Sequence, residues 1–291
     1  MKKALLYSIF ALGIASTTLT SCEDIFGGFL DKQPSNELTG EQVFSDWNLT
    51  VQFHLDTYNF LRHGAGRIST TWLDAATDLA ETSYGNGVRT SFNIGNFYGG
   101  SGASELVDTW EHYYRGIRKC NMLLTRIEEV PQNPADSEDK YNRDKKNYIA
   151  EARFLRAYFY WELFLRYGPI PIVTEVLDPN GDLMSKYTTR PTTKEYVVDF
   201  ILEELKSCEG NLLDYETAWK SSSAGRIGQP MACALRSRIM LFMASPRYSS
   251  ESGITWQQAV NLAASSRIRG EKMTCFSRSA VYSLYIEEVV S

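Results

Sequence analysis

The side chains best suited to hold a ligand lie in a glycine-rich stretch, residues 63–103. Ring faces there could stack on the C–H face of a sugar, while a carboxylate and an amide could hydrogen-bond its hydroxyls. Rings beside Gly99–Gly102 are difficult to bury in regular structure. Alternatively, the rings only anchor the loop to the core. The predicted ligand-binding residues are Trp72, Asp78, Asn96, Phe97 and Tyr98.

No catalytic or metal-binding motif accompanies these residues. The sequence contains no Gly-x-Ser-x-Gly, no Walker loop and no His-Glu-x-x-His. Asp78 and Glu81 lie on one side of a predicted short helix, whereas a glycosidase needs two carboxylates facing each other across a cleft. No histidine has metal-ligand spacing, and His54 and His112 are predicted to be ordinary helix residues. We therefore expect no catalytic residue, metal ion or other cofactor.

Charge and cysteine content restrict the classes of partner. The formal net charge of −5 argues against nucleic acid, because neutralising phosphates requires a basic face. Cys120, Cys208 and Cys233 lie on predicted helices as small buried apolar residues, and with Cys275 they form no Cys-x-x-Cys. The sequence therefore specifies no disulfide.

The N-terminus has the pattern of an export signal. Lys2 and Lys3 precede an apolar stretch, Ala4–Ala15, that is too short to span a bilayer. Leu19–Cys22 then resembles a bacterial lipobox, which predicts a signal peptide over residues 1–21 and lipid on Cys22. The alternative is an ordinary signal peptide with a chance cysteine. Several acyl chains on one cysteine would anchor the protein stably to a membrane.

One long helix dominates the folded part of the chain. Apolar residues at helical spacing form two stripes between Tyr148 and Tyr167, so neighbouring helices must cover it on two sides. Gly168-Pro169 ends the helix, because proline lacks an N–H and disfavours helical geometry in the residue before it. Arg153 and Arg156 lie among these rings, and a buried arginine needs a nearby carboxylate.

This helix resembles a hallmark of the SusD/RagB family of outer-membrane nutrient-binding lipoproteins. The similarity lies in the run Ala152–Tyr158, the Trp-Glu-Leu that follows and the stop Gly168–Pro171. Leu30-Asp31-x-x-Pro34 and the Trp110-to-Asn121 pattern are also similar to the family. Family members contain degenerate tetratricopeptide repeats, so the resemblance implies an all-α fold of paired antiparallel helices with long irregular loops.

The resemblance also implies a location and partners. Glu23-Asp24 directly after Cys22 resembles a surface-export signal of this bacterial group, which implies lipid anchoring on the outer face of the outer membrane. The expected ligand is an oligosaccharide or other nutrient. The expected protein partner is a SusC-like TonB-dependent transporter, and no enzymatic activity is implied.

Periodicity and turn residues divide the rest of the chain. Residues 22–40 are predicted to be a tether and residues 41–265 a helical domain, which the resemblance implies is an incomplete SusD-like domain, because family members are much longer. The predicted helices, which have apolar inner faces, are residues 41–62, Ser104–Val130, one that Thr192 or Thr193 caps, Met231–Met243 and Trp256–Ala264. Trp110 is predicted on the inner face of Ser104–Val130 and Phe242 on that of Met231–Met243, while Trp161 and Leu165 belong to one stripe of the long helix.

The last residues depart from the family pattern. Residues 266–291 have no clear helical period and no resemblance to the family. We interpret them as an aberrant tail, read out of frame after a gene break, with a divergent terminal segment as the alternative.

Two other function classes remain open at this point. A tetratricopeptide-like scaffold would bind a protein or peptide in a groove free of aromatic residues. An all-helical glycoside hydrolase would show a cleft with two opposed carboxylates. Aromatic side chains at a loop rim would favour the glycan receptor.

Overall fold

The computed structural model describes residues 40–62, 75, 77–81, 93–96, 104–178, 180–182, 187–218 and 225–268. Residues 43–291 form one compact unit, and residues 1–42 form another, of which Gly40–Gln42 are described. In the described ranges the secondary structure is helical and no strand forms; one isolated bridge pairs Leu213 with Gly228. The predicted all-α fold is confirmed. The signal peptide, Cys22 and most of the tether lie outside the described residues.

The first part of the described chain contains two long antiparallel helices and a shorter broken one. Their bounds are α1 Gly40–Phe44, α2 Trp47–Asp56 with a 3₁₀ turn Thr57–Phe60, α3 Ser104–Arg126 and α4 Glu138–Tyr167. The later helices are a π-helical segment Lys194–Leu202 continued by α5 Glu203–Cys208, then α6 Tyr215–Ala218, α7 Gln229–Met243, α8 Ser249–Ser252 and α9 Trp256–Ile268.

Helix α4 is the centre of the core, as its two apolar stripes predicted. Leu155, Phe159 and Leu163 are fully buried on one stripe, and Trp161 and Phe164 are buried on the other. Helix α3 packs against α4 so closely that a Cβ on Gly116 would lie 2.8 Å from the Phe159 ring, a contact too short for a real Cβ. Only glycine therefore fits at this helix crossing without rearrangement.

Helix ends follow capping chemistry. The Ser137 side chain accepts from the Lys140 N–H at the start of α4, and Gly168 ends it with a φ of 67°. The Thr192 hydroxyl accepts from the Glu195 N–H, and the Glu195 carboxylate accepts from the Thr192 N–H. This reciprocal pair is a capping box, so of the two predicted caps Thr192 supplies the side chain.

Several predicted boundaries were wrong. The helix predicted over residues 41–62 breaks at Asp46, whose extended backbone lets its carboxylate accept from the Leu49 N–H and start a new helix. Helix α3 ends at Arg126, before the predicted Val130, while α9 continues past the predicted Ala264 to Ile268. Three residues predicted on inner faces are about 40% exposed: Trp110 (40%), Leu165 (39%) and Phe242 (40%).

Candidate functional site

Two of the predicted ligand-binding residues can be located. Asp78 and Asn96 are both exposed, and Asn93 ties their segments together by donating its side-chain N–H to the Ala75 carbonyl at 3.2 Å. Trp72, Phe97 and Tyr98 lie outside the described residues. The exposed positions of Asp78 and Asn96 leave their polar groups accessible to a ligand.

The short helix predicted around Asp78 does not extend through residues 77–81. These residues form bends, and the Thr77 hydroxyl accepts from the Leu79 N–H at 3.2 Å. A side chain that captures a nearby N–H competes with the helical hydrogen bond of that group, which accounts for the irregular backbone. Asp78 and Glu81 are exposed, as expected for a solvated face, but they do not share a helix.

A second aromatic group, with one exposed and two half-buried rings, lies on the helices themselves. We call Trp110, Tyr114 and Tyr167 the ring surface. The Trp110 ring lies 4.9 Å from the Tyr114 ring at 42° and meets the Tyr167 ring edge-on at 5.2 Å, centroid to centroid. The sequence pattern predicted Trp110 on the inner face of α3, but 40% of its surface is exposed. Its position near the first turns of α3 accounts for this error, because α4 has already ended at Tyr167 on the facing side.

The segment after Gly168 is hydrogen-bonded to side chains of α3 and α4, including Tyr114 of the ring surface. The Tyr114 hydroxyl donates to the Pro171 carbonyl at 2.9 Å. The Tyr160 hydroxyl donates to the Val173 carbonyl at 3.0 Å and accepts from the Val173 N–H at 2.7 Å. The Asn121 amide donates to the Val173 carbonyl as well, at 2.9 Å. Side chains of α3 and α4 thus hold an extended segment that has no strand partner.

The buried Arg156 is paired with a carboxylate, as predicted. Arg156 donates to the Glu204 carboxylate at 2.6 and 3.0 Å and to the Asn121 side-chain oxygen at 2.8 Å. Arg153 donates to the Ser207 hydroxyl. These contacts connect α4 to α5 and α3, so the two arginines have a structural role.

A buried polar cluster centred on Glu151 was not predicted from the sequence. Glu151 is 0% exposed, and its two carboxylate oxygens contact groups from separate segments. One oxygen accepts from the Tyr58 hydroxyl and contacts His54 Nε2, each at 2.8 Å, and the other accepts from Arg226 at 2.6 Å. We call Glu151, His54, Tyr58 and Arg226 the Glu151 cluster.

The electrostatics of this cluster are those of a structural site. Burial raises the pKa of Tyr58, and the neighbouring Glu151 charge raises it further, so the hydroxyl stays protonated and donates. Burial alone would lower the pKa of Arg226, but the Glu151 carboxylate, together with Tyr148 and Tyr58, outweighs burial and raises it. Glu151 and His54 are 0% and 1% exposed, while Tyr58 and Arg226 are half-buried, so the two groups at the centre of the cluster are closed to a ligand. His54, predicted to be in an ordinary setting, therefore has a specific structural role.

One open cavity lies between α5, α7 and α9. It has a volume of about 260 Å³. Its lining includes a single carboxylate and no aromatic ring: Val198, Leu202, Glu203, Lys206, Arg236, Met240, Ile254 and Gln258. Two opposed carboxylates, the arrangement expected of a glycosidase, do not line this cavity.

Thiols and potential metal ligands show no reactive grouping in the described ranges. Cys120, Cys208 and Cys233 are free, and burial raises the pKa of Cys120 and of Cys208 to about 12. Both thiols are therefore protonated and unreactive at neutral pH.

No cluster of His, Cys, Asp and Glu that could hold a metal ion occurs among the described residues. None of the described helices combines the length and apolar character needed to cross a bilayer.

Comparison with known proteins places this architecture in a family. A family model named SusD-like and described as "Starch-binding associating with outer membrane" matches residues 28–241. A SusD-like protein from Formosa agariphila, P38, is 25% identical over 216 residues, which cover 73% of this chain and 39% of that protein. The chain therefore spans well under half the length of this relative.

Solved structures agree with the sequence match. A SusD-like protein from Bacteroides fragilis has a TM-score of 0.57 and 25% identity, covering 83% of this chain and 42% of that one. A laminarin-binding SusD-like protein has a TM-score of 0.57 and 21% identity, with 77% and 44% coverage. Because the family model spans most of the helical unit, this chain belongs to the SusD-like family of starch-binding proteins that associate with the outer membrane.

Proposed function

We propose that this chain is the helical part of a lipid-anchored glycan receptor on the outer face of the outer membrane. It would bind oligosaccharide or another nutrient and deliver it to a SusC-like TonB-dependent transporter. The observation that carries this proposal is the family match over residues 28–241, whose description names both starch and the outer membrane. The lipobox-like Leu19–Cys22 supports the anchor.

Binding without catalysis fits the carboxylates that the structure describes. Glu151 and Glu204 are committed to arginine side chains, and Glu162 accepts from Arg166 at 3.0 Å. A glycosidase requires one carboxylic acid that can give up a proton and a second carboxylate opposite it. Glu151 and Glu204 join separate helices and Glu162 pairs within α4, so all three carboxylates serve the fold, which supports a receptor.

The ligand would contact the loop region first. Asp78 and Asn96 are exposed and can hydrogen-bond sugar hydroxyls, and Trp72, Phe97 and Tyr98 would add ring faces. No covalent chemistry is needed, so affinity would come from stacking and hydrogen bonds. Weak binding at each contact would suffice for a surface receptor that passes its ligand on.

The anchor and the glycan contact can be tested together. The Cys22→Ala variant of the full chain should be released in soluble form, whereas the parent should fractionate with membranes. Soluble parent protein that retains residues 1–21 would refute the anchor.

The soluble variant then serves for calorimetric titration with laminarin and with maltoheptaose. Tyr98→Ala should weaken binding about 5-fold, since a stacked ring is worth on the order of 1 kcal/mol. Trp256→Ala is the matched control, because Trp256 is 37% exposed on α9, far along the chain from the loop. Equal affinity of Tyr98→Ala and the parent would exclude Tyr98 from the site.

One observation favours a second candidate, a peptide-binding scaffold. The cavity between α5, α7 and α9 is lined by apolar and charged residues and by no aromatic ring. Helical-repeat scaffolds bind peptides in such grooves. An Arg236→Ala change that lowers retention of the SusC-like transporter but leaves glycan affinity intact would assign this cavity to the protein partner.

A further inference from the structure

Trp110 remains partly exposed because α4 ends at Tyr167 on the facing side of α3. Its ring contacts only the edges or tilted faces of Tyr114 and Tyr167 among the ring pairs described, and 40% of its surface stays open. Leaving part of a large indole in contact with water is unfavourable, because burying apolar surface lowers the free energy. Single exposed apolar residues are common, so exposure alone assigns no role. The contacts that hold Tyr114 and Tyr167 beside Trp110 give a further reason to consider a ligand here.

Hydrogen bonds and ring contacts hold the two tyrosines of the ring surface. The Tyr114 hydroxyl is committed to the Pro171 carbonyl at 2.9 Å, and the Tyr114 ring meets the Tyr160 ring edge-on at 6.3 Å. Tyr167 is the last residue of α4, and its carbonyl accepts from Arg190 at 3.3 Å. A ligand that stacks on Trp110 would therefore find its partners already ordered, which removes part of the entropic cost of binding.

The size and polarity of the ring surface fit a sugar better than a protein. A stable protein interface buries about 800 Å² on each partner, which is several times what one partly exposed indole offers. The exposed Arg190 adjoins the rings, because its side chain donates to the Tyr167 carbonyl. A pyranose has an apolar C–H face for the indole and hydroxyls for this guanidinium.

The ring surface lies on the helix that follows the predicted glycan loop in the sequence. Trp110 is six residues into α3, and a helical rise of about 1.5 Å per residue puts it roughly 9 Å from Ser104. The glycine-rich residues 99–102 lead directly into Ser104. We propose that the ring surface is a second carbohydrate contact, separate from the loop, in which Trp110 stacks on a pyranose of the same oligosaccharide. This inference rests on the proposed glycan-binding function.

The test compares Trp110→Ala with Trp256→Ala in the full chain carrying Cys22→Ala. Trp256 is exposed to a similar degree, 37%, and lies outside the ring surface. Affinity for laminarin and for maltoheptaose is measured by calorimetric titration. Trp110→Ala should weaken binding about 5-fold or more, whereas Trp256→Ala should leave it within twofold. If Trp110→Ala fails to fold, Trp110→Leu keeps an apolar contact with the two tyrosines and removes the aromatic face.

The outcomes separate this inference from the proposed function. If the parent binds either glycan and the Trp110 variants bind it equally well, the ring surface is not a carbohydrate contact and the receptor function stands. If Trp256→Ala is weakened as much as Trp110→Ala, the effect is not specific and the inference fails. If the parent binds neither glycan at millimolar concentration, the receptor function of this chain fails and the second contact fails with it.

Discussion

At the residue scale, the aromatic side chains divide into those that build the core and those that remain open. Trp161 is 2% exposed, stacks on Phe164 at 5.4 Å and 15°, and meets Phe242 edge-on at 5.4 Å. Trp110 has comparable ring contacts but remains 40% exposed. The helical spacing placed both residues on inner faces. Spacing reports the side of a helix and does not report where the neighbouring helix ends, which is why Trp110 was misplaced.

Replacing Trp161 should reveal how strongly this core depends on one ring. Trp161→Ala removes a buried indole and leaves a cavity between α4 and α7, so it should lower the free energy of unfolding by about 3–5 kcal/mol. The control, Trp256→Ala, should change it by less than about 1 kcal/mol because the ring is partly exposed. Urea denaturation followed by circular dichroism measures both. A loss below about 1 kcal/mol for Trp161→Ala would mean that this face of α4 is not packed.

At the element scale, local patterns predicted the main helices, and long-range contacts decided the details. Pro169 and Gly168 end α4 where expected, because proline chemistry and a positive φ act within a few residues. The break at Asp46 could have been anticipated, since aspartate is a strong N-cap. The Glu151 cluster could not have been anticipated from the sequence, because its Tyr58 hydroxyl accepts from the Ile227 N–H across a separation of 169 residues. Periodicity contains no information on such a contact.

The Glu151 cluster should hold the start of α7 to the earlier helices. Arg226 and Ile227 lie directly before α7, and both bond to the cluster. Glu151→Gln removes the charge opposite Arg226 and leaves that half-buried guanidinium without its ion-pair partner, which destabilises the fold. We expect amide hydrogen exchange in α7 and α9 to accelerate more than exchange in α3 and α4.

Glu162→Gln provides a matched control for this prediction. Glu162 is also a buried glutamate of α4, but its arginine partner, Arg166, lies on the same helix. Its replacement should not accelerate exchange in α7 and α9 preferentially. If Glu151→Gln destabilises the fold too far, Tyr58→Phe removes one bond to Glu151 and the acceptor for Ile227 with less disturbance. Uniform acceleration across all helices in these variants would show that the cluster does not fasten α7 in particular.

At the scale of the whole molecule, several titrating groups favour the folded state at higher pH. Lys119 hydrogen-bonds Asp56 and lowers its pKa, and the Thr217 N–H does the same for Asp214. Burial lowers the pKa of His112, whose Nε2 donates to the Phe60 carbonyl at 3.0 Å. In each case the folded state binds protons less readily than the unfolded chain. Stability therefore rises with pH across these titrations.

Acidification should consequently destabilise the protein in two stages. For His112 the folded pKa lies below the ordinary 6.5, so its contribution is complete above that pH and is lost as the pH falls through the folded value. For Asp56 and Asp214 the ordinary pKa is 3.8 and the folded pKa values are lower, so their contribution to stability is lost in more acidic solution.

The measurement is Tm from about pH 7.5 to pH 3 at constant ionic strength. His112→Gln keeps a side-chain donor for the Phe60 carbonyl and should abolish the upper stage, while Asp214→Asn keeps an acceptor for Thr217 and should flatten the lower one. A Tm that is constant or that rises on acidification would contradict the assigned protonation states and the contacts from which they follow.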